Sequence, residues 1–391
     1  MPEWKSTRLG DICTTNKDSY SSKDNWKIVN YLDTGSITEN KITELQYIDI
    51  ETDKLPSRAR RKVRKDSILY STVRPNQLHY GIIKELVDNL LVSTGFTVID
   101  VDTNKAIPEF IYYILTQKNT TEQLQAIAEQ SVSTYPSIKA TDIENLKLKL
   151  PNLAIQKKIV AILDTIDSKI RQNEKINNNL EQQAKVLYKD WFFDFSPFSS
   201  DGNLPDGWRL GAVGDIIQLH DSKRVPLSGA ERDKMAKVYP YYGATSLMDY
   251  VDNYLFDGIY LLLGEDGTVV DSLGFPILQY IYGQFWVNNH AHIITGKEGF
   301  SVEELYLFFS LTNIKSIVTG AVQQKVSQQN LKKVSAIIPS KEALSAFDEI
   351  IQPIFAQIRN LRDENANLAR LRDTLLPKLM SGELDVSDID L

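Results

Sequence analysis

The sequence contains very few features that would place it outside the cell or in a membrane. Cys13 is the single cysteine among 391 residues, which excludes a disulfide framework and a zinc site built from several thiolates. The first residues do not form the charged and apolar regions of a signal peptide. The longest apolar runs, such as residues 259–263, fall far short of the ~20 residues that span a bilayer. We therefore expect a cytoplasmic protein with no membrane partner.

An excess of positive charge is also lacking. The chain has 44 Lys and Arg residues against 51 Asp and Glu residues, a formal net charge of −7. This balance excludes a small cationic protein that coats nucleic acid through bulk charge. Binding to DNA then requires that basic residues cluster locally. The length predicts two or three domains, at roughly 100–200 residues each.

The sequence lacks the motifs of common nucleotide-dependent and hydrolytic enzymes. It contains no P-loop and no Gly-x-Ser-x-Gly nucleophile motif. The Asn/Asp-Pro-Pro-Tyr/Phe motif of adenine amino-methyltransferases is absent, and the Tyr-Pro-Tyr-Tyr at residues 239–242 is not a version of it. His290 and His292 are spaced to lie on one face of a strand as metal ligands, but no convincing third ligand accompanies them. We expect an ordinary structural pair, and we predict no catalytic residue, metal or cofactor on this chain.

The chain repeats itself, in two separate matches that keep the same order. The first match, at an offset of 204 residues, joins Trp4-x4-Leu9-Gly10-Asp11-Ile12 to Trp208-x4-Val213-Gly214-Asp215-Ile216. The second, at an offset of 188, joins Ile138-x4-Ile143-x2-Leu146-x3-Leu150-Pro151 to Val326-x4-Leu331-x2-Val334-x3-Ile338-Pro339. Each copy is too long for a solenoid unit. The matches indicate a duplicated module of two parts.

The first part of each copy has mixed strand and helix patterns. Apolar runs bounded by Gly, Pro and Asn predict strands at residues 67–73, 91–101, 259–263 and 285–294. Helical patterns fall at residues 109–117 and 302–311. We predict an α+β fold, in which two mixed α/β domains are separated by two long antiparallel coiled-coil helices, with internal duplication and pseudo-twofold symmetry. The predicted bounds are residues 1–150 and 197–338 for the domains, and 151–196 and 339–391 for the helices.

The second part of each copy has apolar residues at alternating steps of three and four, as in the seam of a coiled coil. A single helix packed on its own domain is the alternative to two helices packed on each other. Asn177 and Asn365 are equivalent at the offset of 188 and interrupt both seams, as register-fixing polar residues do. Pro353 should kink the second helix or mark its start. The predicted helix–helix interface consists of Ile159, Ile162, Ile166, Ile170, Asn177, Leu180, Leu187, Trp191, Ile351, Ile354, Ile358, Leu361, Asn365, Leu368, Leu375 and Leu379.

Basic residues cluster locally although the chain is acidic. Six cations fall within eight residues, and further polar residues in both copies have the donors that phosphates and base edges accept. A solvated charge run is the alternative for the cluster, and core packing is the commoner fate of the tyrosines. The predicted DNA-binding residues are Arg58, Arg60, Arg61, Lys62, Arg64, Lys65, Arg74, Asn76, Gln77, Lys223, Arg224, Tyr241, Tyr242, Gln323, Gln324 and Lys325.

Several motifs together resemble the specificity subunit of type I restriction-modification systems, over essentially the whole chain. The segments that carry the resemblance are Leu55-Pro56-Ser57-Arg58-Ala59-Arg60-Arg61-Lys62-Val63, Ser71-Thr72-Val73-Arg74-Pro75-Asn76, Leu150-Pro151-x-Leu153-x2-Gln156-Lys157-Lys158-Ile159-Val160, Leu204-Pro205-Asp206-Gly207-Trp208 and Leu375-Leu376-Pro377-Lys378-Leu379-Met380-Ser381-Gly382-Glu383-Leu384. The sequence departs from the family at Ile155, where Glu is common, and the second copy has Ser340-Lys341-Glu342-Ala343 in place of the helix-start motif.

The resemblance implies a non-catalytic subunit that reads a two-part sequence in double-stranded DNA. Each mixed domain would be a target recognition domain, and the helices would be conserved spacers. Two methyltransferase subunits, which bind S-adenosylmethionine, would dock on the helices and methylate an adenine in each half-site. Restriction subunits would join them in the full complex.

Two other classes of function compete with this interpretation. A stand-alone methyltransferase or nuclease would need a cofactor or metal motif that the sequence lacks. A two-lobed scaffold that binds only proteins would leave the basic cluster unexplained.

Overall fold

The computed structural model describes residues 4–130, 136–320 and 323–389. The chain divides into two compact units. Unit 1 comprises residues 1–171 and 365–391, and unit 2 comprises residues 172–364. Two long helices each contribute one segment to unit 1 and one to unit 2. Among the described residues, no helix is long and apolar enough to cross a bilayer.

Unit 1 has two four-stranded sheets, with short helices packed beside them. The sheets have the strand orders β6-β3-β10-β7 and β2-β11-β8-β9, while β1 pairs with β12 and β4 with β5. The elements are β1 (Lys5–Arg8), β2 (Cys13–Thr15), β3 (Ile28–Leu32), β4 (Ile37–Thr38), β5 (Lys41–Ile42), β6 (Gln46–Asp49), β7 (Ala59–Lys62), β8 (Ile68–Ser71), β9 (Tyr80–Ile82), β10 (Leu90–Ser93), β11 (Phe96–Val101), α1 (Pro108–Leu115), α2 (Lys118–Glu129), α3 (Ala140–Glu144), β12 (Lys147–Leu150) and α4 (Leu153–Phe192).

Unit 2 has one six-stranded sheet, of order β14-β19-β17-β18-β15-β16, and a separate β13–β20 pair. The elements are β13 (Arg209–Ala212), α5 (Val213–Ile216), β14 (Ile217–Leu219), α6 (Gly229–Arg232), β15 (Tyr239–Tyr242), β16 (Leu247–Val251), β17 (Phe256–Gly264), β18 (Leu278–Val287), β19 (Ala291–Gly296), α7 (Val302–Leu311), α8 (Gln328–Leu331), β20 (Ser335–Ile338) and α9 (Lys341–Ser381).

The strand pairing of unit 1 recurs in unit 2. The order β2-β11-β8-β9 corresponds to β14-β19-β17-β18, and the antiparallel pair β1–β12 corresponds to β13–β20. The described strands therefore follow the repeated order that the two sequence matches predict.

Two predicted strands are each divided in the structure. The apolar run 91–101 forms β10 and β11, because Thr94 and Gly95 make a turn that sends the two strands to different sheets. The run 285–294 includes the end of β18 and the start of β19, separated by a turn at residues 288–290. Continuous apolar runs predict buried strands well, but they do not show where the chain reverses.

The helix segments of unit 1 run antiparallel. Asp167 Oδ1 on α4 lies 3.1 Å from Arg372 Nη1 on α9. Asn365 Nδ2 on α9 donates to the Ile170 carbonyl on α4 over 3.3 Å. Residue numbers on α9 therefore decrease as those of their partners on α4 increase. Leu163 and Leu379 belong to the core of this unit and are almost fully buried.

The helix segments of unit 2 show the same antiparallel order. The Phe347 ring packs against the rings of Trp191 and Phe192, at centroid distances of 5.2 and 4.9 Å. Further along, Asn173 Nδ2 donates to Glu364 Oε2 over 2.8 Å. Helix α9 begins at Lys341, so the alternative that Pro353 marks its start is wrong.

The predicted interface residues lie on the buried side of the helices, with different degrees of burial. Ile159, Ile166, Ile351, Ile358, Leu361 and Leu379 are buried, and the other predicted positions are half-buried. The sequence prediction omitted Leu163, Tyr188, Phe192 and Phe355, which are also buried. On α4 the buried residues Ile155, Ile159 and Leu163 are spaced by four residues twice in succession. A pattern that alternates steps of three and four therefore does not include all of them.

Candidate nucleic-acid interface

The basic cluster of unit 1 lies on an edge strand. Strand β7 is the last strand of its sheet, and the residues that follow it form a turn before β8. Ala59 points into the core, and Arg60 is exposed. Arg58, Arg64 and Lys65 are also exposed, whereas Arg61 and Lys62 are half-buried. The strand period thus presents only part of the positive charge to solvent.

Two cations of the cluster are held by internal partners. Lys62 binds the Asp24 carboxylate, and its Nζ lies 5.2 Å from the centre of the Trp26 ring. The hydrogen bond from Lys62 is the main cause that holds the pKa of Asp24 below its usual value. Arg64 binds Asp18 and lies 3.6 Å from Asp100 Oδ2. These two side chains stabilise the loop before β3 and the end of β11.

Three other cations of the cluster are exposed and available to an external anion. Within the described part of the chain, Arg58, Arg60 and Lys65 have no ion-pair partner. The buried Nε of Arg61 has no hydrogen-bond partner among the described residues, and burial lowers the pKa of this side chain. The exposed side chains of Arg58, Arg60 and Lys65 can neutralise phosphates.

A second polar group in unit 1 lies on the turn after β8. Arg74 has a φ of +48° and Leu78 a φ of +58°, and a short 3-10 turn (Pro75–Gln77) lies between them. The backbone N–H of Asn76 donates to Gln125 Oε1 over 3.2 Å, which fixes the turn against α2. The side chains of Asn76 and Gln77 are exposed. A left-handed backbone conformation is uncommon for a non-glycine residue, so this turn has a specific shape.

Unit 2 presents an equivalent turn and loop. The N–H of Ile138 bonds to the Thr72 carbonyl over 2.8 Å in unit 1, and the N–H of Val326 bonds to the Glu265 carbonyl over 2.8 Å in unit 2. These bonds join the turn after β8 to Ile138 in unit 1, and the turn after β17 to Val326 in unit 2. Ile138 and Val326 are equivalent residues at the repeat offset of 188. In unit 2 the segment before Val326 carries three exposed residues, Gln323, Gln324 and Lys325, next to residues 321 and 322, which lie outside the described chain.

The structure corrects the prediction at Arg224 and Tyr241. Arg224 Nη1 donates to Glu265 Oε2 over 2.7 Å and to the Ala291 carbonyl over 2.8 Å, so its guanidinium is an internal cation. Tyr241 is 1% exposed, and the Arg232 guanidinium lies 4.9 Å from its ring centre. Neither side chain can reach DNA in this conformation. Tyr242 is half-buried, and burial raises its pKa. Lys223 is exposed.

The two predicted histidines have separate carboxylate partners. His290 Nδ1 lies 2.5 Å from Asp266 Oδ1, and His292 Nδ1 lies 2.6 Å from Asp221 Oδ2. The two histidines do not form a metal site with each other. Among the described residues, His292 lies with Asp221 and Glu265, and their possible ligand atoms are within 4.8 Å of one another. The Arg224 guanidinium already supplies positive charge beside both of these carboxylates.

Sequence reasoning missed the anions that organise both interfaces. Asp18, Asp24, Asp221 and Glu265 bind predicted DNA-contacting cations, yet they lie between 3 and 60 residues away in the chain. Only the short spacing of Asp221 and Arg224 offers a signal in the sequence, and a spacing of three is too common to be specific.

Comparison with known proteins gives a consistent result. The profile of a family described as "Type I restriction modification DNA specificity domain" matches residues 1–182 and 205–370. The type I restriction enzyme HindI specificity subunit of Haemophilus influenzae is 26% identical over 462 residues, which cover 98% of this chain and 100% of that protein. The MjaIX specificity subunit of Methanocaldococcus jannaschii is 25% identical, over 83% of this chain and 79% of its own.

A solved structure is similar in fold. The S subunit of a type I restriction-modification system from M. genitalium has a TM-score of 0.55 at 15% identity, over 97% of this chain and 96% of that one. At this identity the likeness shows the fold alone.

Proposed function

Because the chain belongs to the family of type I restriction-modification DNA specificity domains, we propose that it is a non-catalytic subunit that reads a bipartite target in double-stranded DNA. Each unit reads one half-site. The observation that carries the proposal is the recurrence, in both units, of the hydrogen bond that joins the turn after β8 or β17 to the equivalent residue of the repeat, Ile138 or Val326. In a chain of net charge −7, the exposed cations on and around β7 support local contact with DNA.

The contacts divide into two classes. Arg58, Arg60 and Lys65 bind phosphates of one half-site, because they are exposed and free of internal anions within the described chain. Arg74, Asn76 and Gln77 in unit 1, with Gln323 and Gln324 in unit 2, read base edges, since a guanidinium group offers paired donors and an amide group offers a donor and an acceptor. Lys223 binds phosphates at the second half-site, whereas Lys325, whose Nζ lies 3.5 Å from Glu265 Oε1, must leave that carboxylate to do the same.

The long helices form an antiparallel coiled coil that relates the two units by pseudo-twofold symmetry and sets the distance between the half-sites. The antiparallel contacts within each unit support this, and so do the buried seams on α4 and α9. The distance between half-sites then depends on helix length, which rises by about 1.5 Å per residue.

The helices also dock two methyltransferase subunits, which bring S-adenosylmethionine and methylate adenine, and restriction subunits complete the complex. Three exposed apolar side chains of unit 2 support protein docking: Val186 is 67% exposed, Phe193 42% and Leu210 75%. The repeat offsets place Thr374, Ser381 and Ser6 at the equivalent positions of unit 1, so these apolar side chains are not required by the shared fold.

The test is to map methylated adenines in random-sequence DNA after exposure to the chain reconstituted with its methyltransferase subunits. We expect methylation only at sites with two fixed half-sites separated by a constant gap. Methylation by the isolated chain would indicate a catalytic protein. A complex that forms but methylates without half-site preference would favour the alternative of a two-lobed scaffold that binds only proteins.

A further inference from the structure

A buried ionic network lies directly beneath the proposed DNA-reading loops of unit 2. His292 is 0% exposed; its Nδ1 lies 2.6 Å from Asp221 Oδ2 and its Nε2 lies 2.8 Å from the carbonyl oxygen of Val326. A carboxylate and a carbonyl only accept hydrogen bonds. Each ring nitrogen of His292 therefore faces an oxygen acceptor, one on each of two loops.

The remaining members of the network balance the charge. Asp221 Oδ2 also accepts from Gln328 Nε2 over 2.5 Å, and Asp221 Oδ1 accepts from the N–H of Ile293 over 2.9 Å. Glu265 Oε2 lies 3.7 Å from His292 Nδ1 and 2.7 Å from Arg224 Nη1. The two carboxylates thus share the Arg224 guanidinium and the His292 ring as partners, as buried polar and charged groups require.

The network joins two loops that are far apart in the chain. Asp221 opens the turn that carries Lys223, and Val326 immediately follows Gln323, Gln324 and Lys325. Lys325 Nζ lies 3.5 Å from Glu265 Oε1, on the opposite side of the same carboxylate. His292, on strand β19, is hydrogen-bonded to both loops, one through each ring nitrogen.

Unit 1 builds the same strands without this network. Strand β11 pairs Phe96 with Ser71, and strand β19 pairs Ala291 with Gly264, so Thr97 is the residue equivalent to His292. Thr97 is 0% exposed, and its hydroxyl has no hydrogen-bond partner among the described residues. The fold therefore does not require a histidine at this position.

We propose that His292 is a positioning residue for recognition of the second half-site. It holds the Lys223 turn and the loop of residues 323–325 at a fixed distance from each other. Burial of the charged groups around it costs free energy, and the resulting network keeps both loops in one conformation. The inference rests on the proposed function. It adds a residue that determines specificity without touching DNA.

The test uses two variants that each preserve one of the two bonds. The amide nitrogen of an Asn side chain lies near the Nδ1 position of histidine, and that of Gln lies near the Nε2 position. His292→Asn should keep the bond to Asp221 and release Val326, whereas His292→Gln should keep Val326 and release Asp221. Methylated sites are sequenced for the reconstituted complex, and photocrosslinking from residue 324 identifies the half-site that unit 2 contacts.

We expect both variants to accept mismatched bases in the unit 2 half-site roughly tenfold more often than the wild type, which is the discrimination of one good base contact. The positions that relax should differ between the two variants, and the unit 1 half-site should stay unchanged. His290→Asn is the matched control, because His290 is joined to Asp266 and not to Asp221. Gln328→Ala, which loosens Asp221 without removing a charge, provides a milder third variant.

Other outcomes would overturn the inference. Wild-type discrimination at the unit 2 half-site in folded variants would show that the loops do not depend on His292. Equal relaxation of both half-sites, with a lowered unfolding temperature, would show a general structural role. A wild-type complex without bipartite selectivity would contradict the proposed function itself.

Discussion

At the scale of single residues, a cation contributes to DNA binding according to what already binds it. Lys62 and Arg64 each bind a carboxylate within unit 1, whereas Arg58 and Arg60 are exposed without such a partner in the described chain. An internally paired cation must break its pair before it can neutralise a phosphate. Position in a basic run therefore does not decide its contribution.

The first prediction compares these two kinds of cation. Reversal of Arg58 and Arg60 to Glu should weaken DNA binding by the reconstituted complex and reduce the slope of log K against log salt by about 0.9 for each lost phosphate contact. Lys62→Gln and Arg64→Gln are the matched controls and should leave the slope nearly unchanged. Affinity measured over a salt series tests this. A similar reduction for the controls would show that the internal pairs open on DNA.

A second residue-scale prediction concerns the buried carboxyl group of Glu304. It accepts a hydrogen bond from the N–H of Ser301 over 2.7 Å, while its Oε1 has no partner within the described chain. Burial raises its pKa from 4.5 to about 8. Because the folded value lies above the unfolded one, its contribution to stability is complete below pH ~4.5 and is lost as pH rises through about 8.

Glu304→Gln should remove this dependence and keep the helix cap, since Gln serves the same capping role. Between pH 5 and 8 the free energy of unfolding of the wild type should fall relative to the variant, by at most ~1.4 kcal/mol per pH unit. Urea denaturation at several pH values measures the difference. Parallel pH curves for the two proteins would contradict the prediction.

At the scale of elements, aromatic packing joins the helix segments of unit 2. Phe347 on α9 is 0% exposed and contacts the rings of Tyr188, Trp191 and Phe192 on α4. Such a residue anchors one helix on the other more strongly than the half-buried seam positions, because its whole surface is removed from water.

Phe347→Ala should therefore lower the free energy of unfolding of unit 2 by about 3–5 kcal/mol through the cavity that it leaves. Ile350→Ala is the matched control on the same helix, since Ile350 is 41% exposed, and it should change stability by less than ~1 kcal/mol. Denaturation monitored by tryptophan fluorescence measures both variants. Equal losses would show that Phe347 does not anchor the helices.

At the scale of the whole molecule, the proposed spacing function predicts a change in the DNA target. Insertion of four residues after Asn178 and four after Ala366, equivalent positions of the repeat, should lengthen each helix by about one turn, or ~5.4 Å. The accepted gap between half-sites should grow by one or two base pairs at ~3.4 Å per base pair. The half-sites themselves should not change.

Sequencing of methylated sites measures the gap, and a four-residue insertion between Gly202 and Asn203, which are exposed and outside the helices, is the control. An active complex with an unchanged gap after the helix insertions would mean that partner subunits set the spacing.

Several features could be predicted from the sequence because local patterns determine them. The long helices follow from apolar steps of three and four, and the two-copy order follows from matches at Trp4 and Trp208. The predicted helices at residues 109–117 and 302–311 correspond closely to α1 and α7. The helix signals come from local periodicity, and the repeat comes from comparing two stretches of sequence, so neither needs knowledge of a tertiary contact.

Which charged groups are free, and which are bound inside the protein, was decided only by the tertiary structure. Lys62 meets Asp24 across 38 residues, and His292 meets Asp221 across 71, with no shared motif between the partners. The sequence by itself determined the repeat, the helices and the local concentration of positive charge. The structure decided that Arg224 is internal and Arg60 exposed, because burial and pairing depend on strands that meet only when the chain folds.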